Sequence, residues 1–488
     1  MSRAAISIVC VTRHWKHLRA IFKRNSNVIS PMSRFEYIHT QDSLYQGNRG
    51  SALHVSGNRG QDVFGVLAPY LDIPEFIQNT YKFENNIKLR KLNLDVRQLS
   101  ELCHKLGSLR PTMDKLEGER TSISNTMKSL GKELKKDDEK MLKLRAQGKE
   151  IREKLKEISK EVLDLEDQVV LSYLELPNKL HAMTCNEDKI LLSLFSKPCF
   201  KFKVERHEII GKIRNELEFV ECSPTAYYLK GRLALLELAC NDYFCSLFKG
   251  HGFISHSNPD FAKGVVVEGS GISFSEMDEK VFMLTSHNAD ADPNSQYLVG
   301  GASLQAFVSY FTKQVIENDE CLPQKLLAVG RNYSPSYCKN SGLFNCWQST
   351  AVDGLILFKN DPKVEEMMIN EILMAVVHCY AQLKIHFQIK QYGAHNLEPH
   401  ESAALGVLLY SPITDMYWEV GRISVCGDYV SKRLLILQKI TNSSASFVSM
   451  IHIRVCNVTH LLALIMENGQ KESGMYNIPD ALNKFMYI

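Results

Sequence analysis

Between Lys140 and Lys160 the chain carries eight basic side chains, Lys140, Lys143, Arg145, Lys149, Arg152, Lys154, Lys156 and Lys160, against three acidic ones, Glu150, Glu153 and Glu157. Lysine and arginine at this density can neutralise a run of phosphates, so the chemistry most visible in the residues is contact with a nucleic-acid backbone. A solvated helix face laced with ordinary ion pairs has the same composition, and the charge pattern alone fits both. Other reactive side chains are scattered. The 13 cysteines include no CxxC spacing, the nearest pair being Cys240 and Cys245, which argues against a zinc site or a disulfide framework and for a reducing compartment. His386 lies near Lys384 and Lys390 but forms no ligand spacing with His378, so a packed or surface histidine is expected there. With no Walker A loop and no G-x-G-x-x-G, no metal and no cofactor is expected.

The elements that would position the basic run are strongly periodic. Leu99, Leu102, Leu106, Leu109, Met113, Leu116, Ile123, Met127 and Leu130 recur at steps of three and four, with Arg120 at the one skipped place. After a break at Gly131–Glu139 the pattern resumes through Leu144, Ile151, Leu155, Ile158, Val162, Leu165 and Val169. Two heptad runs joined by a polar turn predict an antiparallel helical hairpin, and about 30 residues per run would project roughly 45 Å. Pro111 should kink the first run or start a fresh helix. The end of the second run, with Glu161, Asp164, Glu166 and Asp167, is acidic, so positive charge is expected near the tip and negative charge near the base.

The flanking composition bounds the rest. A length of 488 residues with 44% hydrophobic residues suggests two domains, and a net charge of +3 confines any nucleic-acid surface to a local patch. Residues 1–35 hold Arg3, Arg13, Lys16, Arg19, Lys23, Arg24 and Arg34 with no Asp or Glu before Glu36, the composition of a mitochondrial transit peptide; a basic arm that touches nucleic acid is the alternative. Residues 36–84 read as a linker or N-terminal extension, glycine-rich between 36 and 70. No apolar run reaches transmembrane length, and no membrane insertion is expected. The Asn442-Ser443-Ser444 and Asn457-Val458-Thr459 triplets fit glycosylation patterns that a mitochondrial chain would not meet.

From Leu176-Pro177-Asn178 onward a family becomes recognisable. A two-helix arm followed by Pro-Asn and a large mixed domain resembles seryl-tRNA synthetase, a class II aminoacyl-tRNA synthetase, and is most similar to a catalytically degenerate mitochondrial paralogue of it. The resemblance runs through Tyr227-Tyr228-Leu229-Lys230-Gly231, a helix from Leu233 to Phe248, and Gly250-His251-Gly252-Phe253 leading to Pro259, which is similar to the motif that forms the dimer interface in that family. It continues at Leu322-Pro323, Gly342-Leu343-Phe344, Glu419-Val420, Asp428-Tyr429 with Lys432-Arg433, Glu467-Asn468, Gly474 and Pro479.

Where the resemblance implies chemistry, the expected residues are replaced. The serine-recognition strand, I-P-T-x-E in the family, reads Val299-Gly300-Gly301-Ala302-Ser303, with Gly301 for Thr and Ser303 for Glu. The Phe-Arg-x-Glu that holds ATP reads Tyr333-Ser334-Pro335-Ser336. Arg331 is three positions from Ser334, and an odd shift on a strand points to the opposite face. The R-V-H-Q-F pattern reads Asn345-Cys346-Trp347-Gln348-Ser349, and a carboxylate-bearing strand has become the apolar Leu405-Gly406-Val407-Leu408. The arginine that clamps the ATP γ-phosphate is His460, expected to be neutral above pH 7, and the glycine of close approach is Ile453. Arg454 cannot stand in for it: six residues along a helix turn it about 240° away, so it is expected off that face. Glu419 alone keeps a family carboxylate. Trp347 and Trp418 are expected as core or rim aromatics.

The expectation is an α+β chain with an N-terminal antiparallel helical hairpin over 85–178 and a class II synthetase-like mixed domain on an antiparallel sheet over 179–488. Catalytic residues are expected to be absent, Gly301, Ser303, Ser334, Ser336 and His460 being degenerate positions, and the chain is expected not to be an enzyme and to bind neither serine nor ATP. It is expected to bind tRNA, that for serine among the candidates, through Lys143, Arg145, Lys149, Arg152, Lys154 and Lys156. It is expected to pair in the mitochondrial matrix with the authentic mitochondrial seryl-tRNA synthetase or, as a homodimer, with itself. The alternatives are a weak or repurposed aminoacyl-tRNA synthetase and a purely structural coiled-coil adaptor.

Overall fold

A computed structural model describes residues 51–54, 67–130, 139–220, 223–284, 295–317, 321–335, 342–441 and 444–486. The segment expected as a transit peptide, most of the expected linker from 36 to 70, the turn at 131–138 and Ser336 lie outside these residues.

The arm forms where the heptads place it. Helix α1 (Thr80–Arg90) leads into α2 (Val96–Leu130), which is answered by the antiparallel α3 (Glu139–Leu174). Asp95 starts α2 by accepting the Arg97 and Gln98 N–H groups, both at 3.0 Å, on one side-chain oxygen. Leu99, Cys103 and Leu106 of α2 are buried with Val162, Leu165 and Val169 of α3, Phe76, Phe83 and Ile87 completing the root of the arm. At about 1.5 Å per residue each long helix extends roughly 50 Å. No fresh helix starts at Pro111, which lies within the continuous α2; its ring removes one backbone donor but leaves the heptad face in phase. Lys105–Glu161 (2.8 Å) and Arg110–Glu166 (2.6 Å) clasp the two helices on its N-terminal side.

The body is built on an eight-stranded sheet. Its strands are β1 (Lys189–Leu194), β2 (Ile254–Ser255), β3 (Gln324–Tyr333), β4 (Gln348–Phe358), β5 (Phe387–Gln391), β6 (Ala403–Ser411), β7 (Met416–Gly427) and β8 (Ser449–Asn457), in the order β1-β5-β6-β7-β8-β4-β3-β2. Every neighbouring pair is antiparallel except β2 and β3. The expected α+β architecture is therefore present. Helices α4 (Gly231–Gly250), α7 (Pro362–Leu383) and α9 (Val458–Gly469) cover one face, where Leu236, Ile372 and Leu462 pack with Val352, Ile423 and Ile451. On the other, α5 (Gly264–Gly269), α6 (Leu304–Phe311) and α8 (Tyr429–Leu434) bring Val267, Phe307 and Val430 against Leu355, Leu357 and Met450. Burial on both faces explains why β6 reads as an unbroken apolar run: all nine of its residues are buried.

Asn178 joins arm to body. Its backbone N–H donates to Pro399 O (2.7 Å), and its side-chain amide donates to His400 O (2.9 Å) and Cys426 O (2.8 Å). Its carbonyl accepts from Asn86 and Arg90 of α1, each at 3.0 Å. Arg90 continues to Glu401 O at 2.6 Å, so a buried guanidinium ties α1 to the loop that precedes β6.

Candidate functional site

The replaced positions hold the fold together. Ser303 is buried at the start of α6, where its hydroxyl donates to Gly300 O (2.7 Å) and accepts from Ala306 N (3.2 Å) as the helix cap. Gly301 donates its N–H to Asp260 Oδ1 (2.7 Å) and accepts from the Asn258 amide (2.9 Å). Beside it Gly300 has φ +85°, and a Cβ there would stand 2.1 Å from Arg331 O. Ser334 leaves the end of β3 with its N–H on Trp347 O (3.0 Å) and its side chain exposed. Arg331 of β3 holds Glu237 of α4 at 3.1 Å, while Ser334 lies past the end of that strand, where alternation no longer applies.

His460 lies in the first turn of α9, capped by Asn457, whose side chain accepts the His460 N–H at 3.1 Å. Its ring meets Glu419 O through Nδ1 (3.0 Å) and stands edge-on to Phe344 and Trp418, which stack at 4.2 Å and 7°. Burial among these rings pushes its pKa down to about 4, so it is neutral at physiological pH. Trp418 is thus a packed aromatic and Trp347 a rim one, 42% exposed beside Phe282. His386 is a packed histidine between Leu194 O, Phe195 O and the Tyr417 hydroxyl.

Arg454 corrects the helical expectation stated for it. It belongs to β8, and α9 begins only at Val458, so strand pairing rather than helical angle decides where it points. Register places Lys390, Gly406, Arg422, Arg454 and Asp353 in one row across β5, β6, β7, β8 and β4. Asp353, with no exposed surface, receives Arg454 through Nε and an Nη, both at 3.2 Å, and faces His452 at 3.1 Å. Burial alone would raise its pKa; the neighbouring Arg454 and His452 outweigh that and hold it below the ordinary carboxylate range. Arg422 holds Glu401 with two bonds of 2.7 Å and reaches Glu419 at 3.1 Å. Burial opposes ionisation of Glu401 too, but Arg422 brings its pKa down to about 2. Tyr392 donates to Glu419 and lies under the Arg422 guanidinium, 4.4 Å from its ring centre. Gly406 makes that possible, because a Cβ there would sit 2.7 Å from the Tyr392 hydroxyl.

This row of cations, each answered by a carboxylate, is the polar centre of the body. Lys390 completes it through Asp188 at 2.6 Å. Sequence reasoning took Glu419 for an isolated survivor and missed Asp353, Arg422 and Glu401. The signal available was a set of charged residues in otherwise apolar strand segments, whose pairing only the register reveals. Among the described residues no group of three His, Cys, Asp or Glu is placed to hold a metal ion.

On the arm, Arg145, Lys149, Arg152 and Lys156 fall at steps of four, three and four, forming one exposed stripe on α3. Lys143 and Lys154 are instead engaged by Glu139 and Glu150, each at 2.7 Å. The acidic base is also engaged: Glu161 and Glu166 by α2, and Asp167 by His54 at 2.6 Å.

Comparison with known proteins gives this geometry its relatives. Residues 70–180 match the seryl-tRNA synthetase N-terminal domain, and residues 283–469 match the tRNA synthetase class II core domain for the G, H, P, S and T enzymes. The chain is 27% identical over 427 residues to the serine--tRNA synthetase-like protein Slimp of Drosophila melanogaster, covering 86% of this chain and 89% of that protein. It is 24% identical over 436 residues to the mitochondrial serine--tRNA ligase of Mus musculus, covering 86% and 83%. The crystal structure of seryl-tRNA synthetase from Pyrococcus horikoshii complexed with ATP superposes with a TM-score of 0.74 at 18% identity, over 85% of this chain and 98% of that one. These findings correct the expectation that the chain is not an enzyme: relatives matched over most of their length are named serine--tRNA ligases.

Proposed function

The chain belongs to the seryl-tRNA synthetase family, and from that premise we propose that it is a mitochondrial protein that holds a tRNA along its helical arm and pairs with a second synthetase-like subunit. The observation that carries the reading is the stripe of Arg145, Lys149, Arg152 and Lys156. All four are exposed, and among the described residues none of them is within ion-pair distance of a carboxylate. Glu161, Glu166 and Asp167 nearer the root are held by partners of their own, and the distal half of α3 presents the stripe's positive charge to solvent. A duplex or folded RNA is read there by backbone and shape, since four long cationic side chains on a helix offer no base-edge pattern.

The test is tRNA binding as a function of salt. Changing the four residues to Gln together is expected to weaken binding across tRNA species and to lower the slope of log affinity against log salt by roughly one for every phosphate that is no longer neutralised. Unchanged affinity and slope would move the RNA surface elsewhere. The partner is the mitochondrial seryl-tRNA synthetase or a second copy of this chain, and the residues offered to it are the exposed apolar Ile254 on β2, Tyr310 beside His256 and Leu238 on the adjoining α4. The relatives' names favour a second reading, in which the body carries a ligase reaction of its own, weak or directed to another acid. Pyrophosphate exchange with serine, and then with other amino acids, reads that activity directly.

A further inference from the structure

Ser51–His54 lie upstream of both matched domains, yet they are built into the body. Ser51, Ala52 and Leu53 are all buried, Leu53 at 2% exposure within the cluster that includes Val267 and Tyr297. Their socket centres on Glu268 of α5. One oxygen of its carboxylate accepts the Ser51 hydroxyl at 2.7 Å, and the other accepts the Ala52 and Leu53 N–H groups at 2.7 and 2.8 Å. The Ser51 hydroxyl also accepts from the backbone N–H of Leu53 (3.2 Å) and His54 (3.1 Å), fixing the turn. Gly264 leaves the room: a Cβ there would meet Ala52 at 3.4 Å and Tyr297 at 3.2 Å. Burial raises the pKa of Glu268 and the three donors from the segment work against that rise. A carboxylate this buried is costly unless its hydrogen bonds are made.

The next residue leaves the body for the arm. His54 Nε2 meets Asp167 Oδ1 at 2.6 Å, seven residues before the end of α3. Arg433 of α8 holds the same root by donating to Leu174 O (2.8 Å) and Leu176 O (3.3 Å). We infer that Ser51–His54 is a strap, bound as a peptide ligand in the Glu268 socket, that fixes the arm to the body through the His54–Asp167 pair. Removal of residues 1–35 leaves the strap intact, whereas removal of the chain up to His54 empties the socket and releases the His54 hold on α3.

Hydrogen exchange on the full chain tests this without any RNA, so its outcome is independent of the tRNA reading. In Glu268→Gln the amide NH2 replaces an acceptor facing the Ala52 and Leu53 N–H groups. Exchange at 52–54 is expected to rise at least tenfold, and exchange across the last two turns of α3 to rise with it. His54→Ala is expected to speed exchange at the end of α3 while leaving Ala52 and Leu53 protected, with an unchanged melting temperature. Loosening of 52–54 with no change at the end of α3 in either variant would overturn the inference and leave the segment as local packing. Should Glu268→Gln fail to fold, the His54→Ala result decides alone.

Discussion

Arg422 and Glu401 are the residues on which the polar centre turns, and removing Arg422 strands Glu401, whereas Arg422 itself also reaches Glu419. Glu401 is about 1% exposed as a side chain and takes two bonds from the guanidinium, with the Ser424 hydroxyl at 2.6 Å and the Glu398 N–H at 2.8 Å also donating to it. Arg422→Ala is therefore expected to cost about 3–5 kcal/mol at neutral pH, the usual consequence of leaving one member of a buried pair unpaired. The pH dependence has a definite sign. In the natural chain the Glu401 pKa is depressed from 4.5 to about 2, so its contribution is present above pH 4.5 and is lost as pH falls towards 2. In the variant the unpaired carboxylate is relieved by taking up a proton, so the gap between the two chains should narrow from pH 7 to pH 4. Urea unfolding at both pH values measures it; a gap that stays constant or widens would assign the ion pair no part in stability. Little of this was legible in the sequence. Arg422, Arg454, Asp353 and Glu401 are up to 101 residues apart, and residue types alone do not say which strands lie side by side. His460 was legible in identity but not in environment: its neutrality comes from Phe344 and Trp418, brought together from different segments.

At the scale of elements the arm was the most legible part, because one sequence-local rule, the heptad, specifies both helices and the face they share. The misplaced detail was Arg454, since a strand leading into a helix was treated as one helix, and the boundary at Val458 rests on an asparagine cap that a period count does not register. The turn Val299–Ser303 shows how a segment lying where the resemblance put substrate recognition serves the fold. Gly300 combines φ +85° with a backbone carbonyl 2.1 Å from where a Cβ would be. Gly300→Ala must then strain the turn and push it off β3 at once, and is expected to cost at least about 2 kcal/mol. Ser303→Ala, which removes only the cap, should cost about 1 kcal/mol. Thermal unfolding of the two single variants ranks them, and the reverse order would mean that the turn is not seated on β3 through Gly300.

Among the described residues the molecule brings together an arm that presents charge, a body that buries it, and an apolar edge that neither covers. Ile254 is 67% exposed on the strand that ends the sheet, Tyr310 is 57% exposed with its ring 5.3 Å from that of His256 just beyond that strand, and Leu238 is 55% exposed on α4, which contacts the strand. Large apolar side chains in such a group, beside an unpaired strand edge, are disfavoured in a chain that stays alone. Pairing through this patch is equally open to a second copy and to a related subunit that keeps the same surface, which is why one substitution should act on both assemblies. Ile254→Asp places a carboxylate where burial would be needed and should weaken either dimer by at least about 100-fold, while an exposed position costs the isolated chain little. Native mass spectrometry of the chain alone, and co-expressed with the mitochondrial seryl-tRNA synthetase, distinguishes the outcomes. A natural chain that gives a paired species and a variant that gives the single mass place the interface at this edge. A variant that pairs as well as the natural chain would leave the apolar edge without a role in pairing and send the search to another surface.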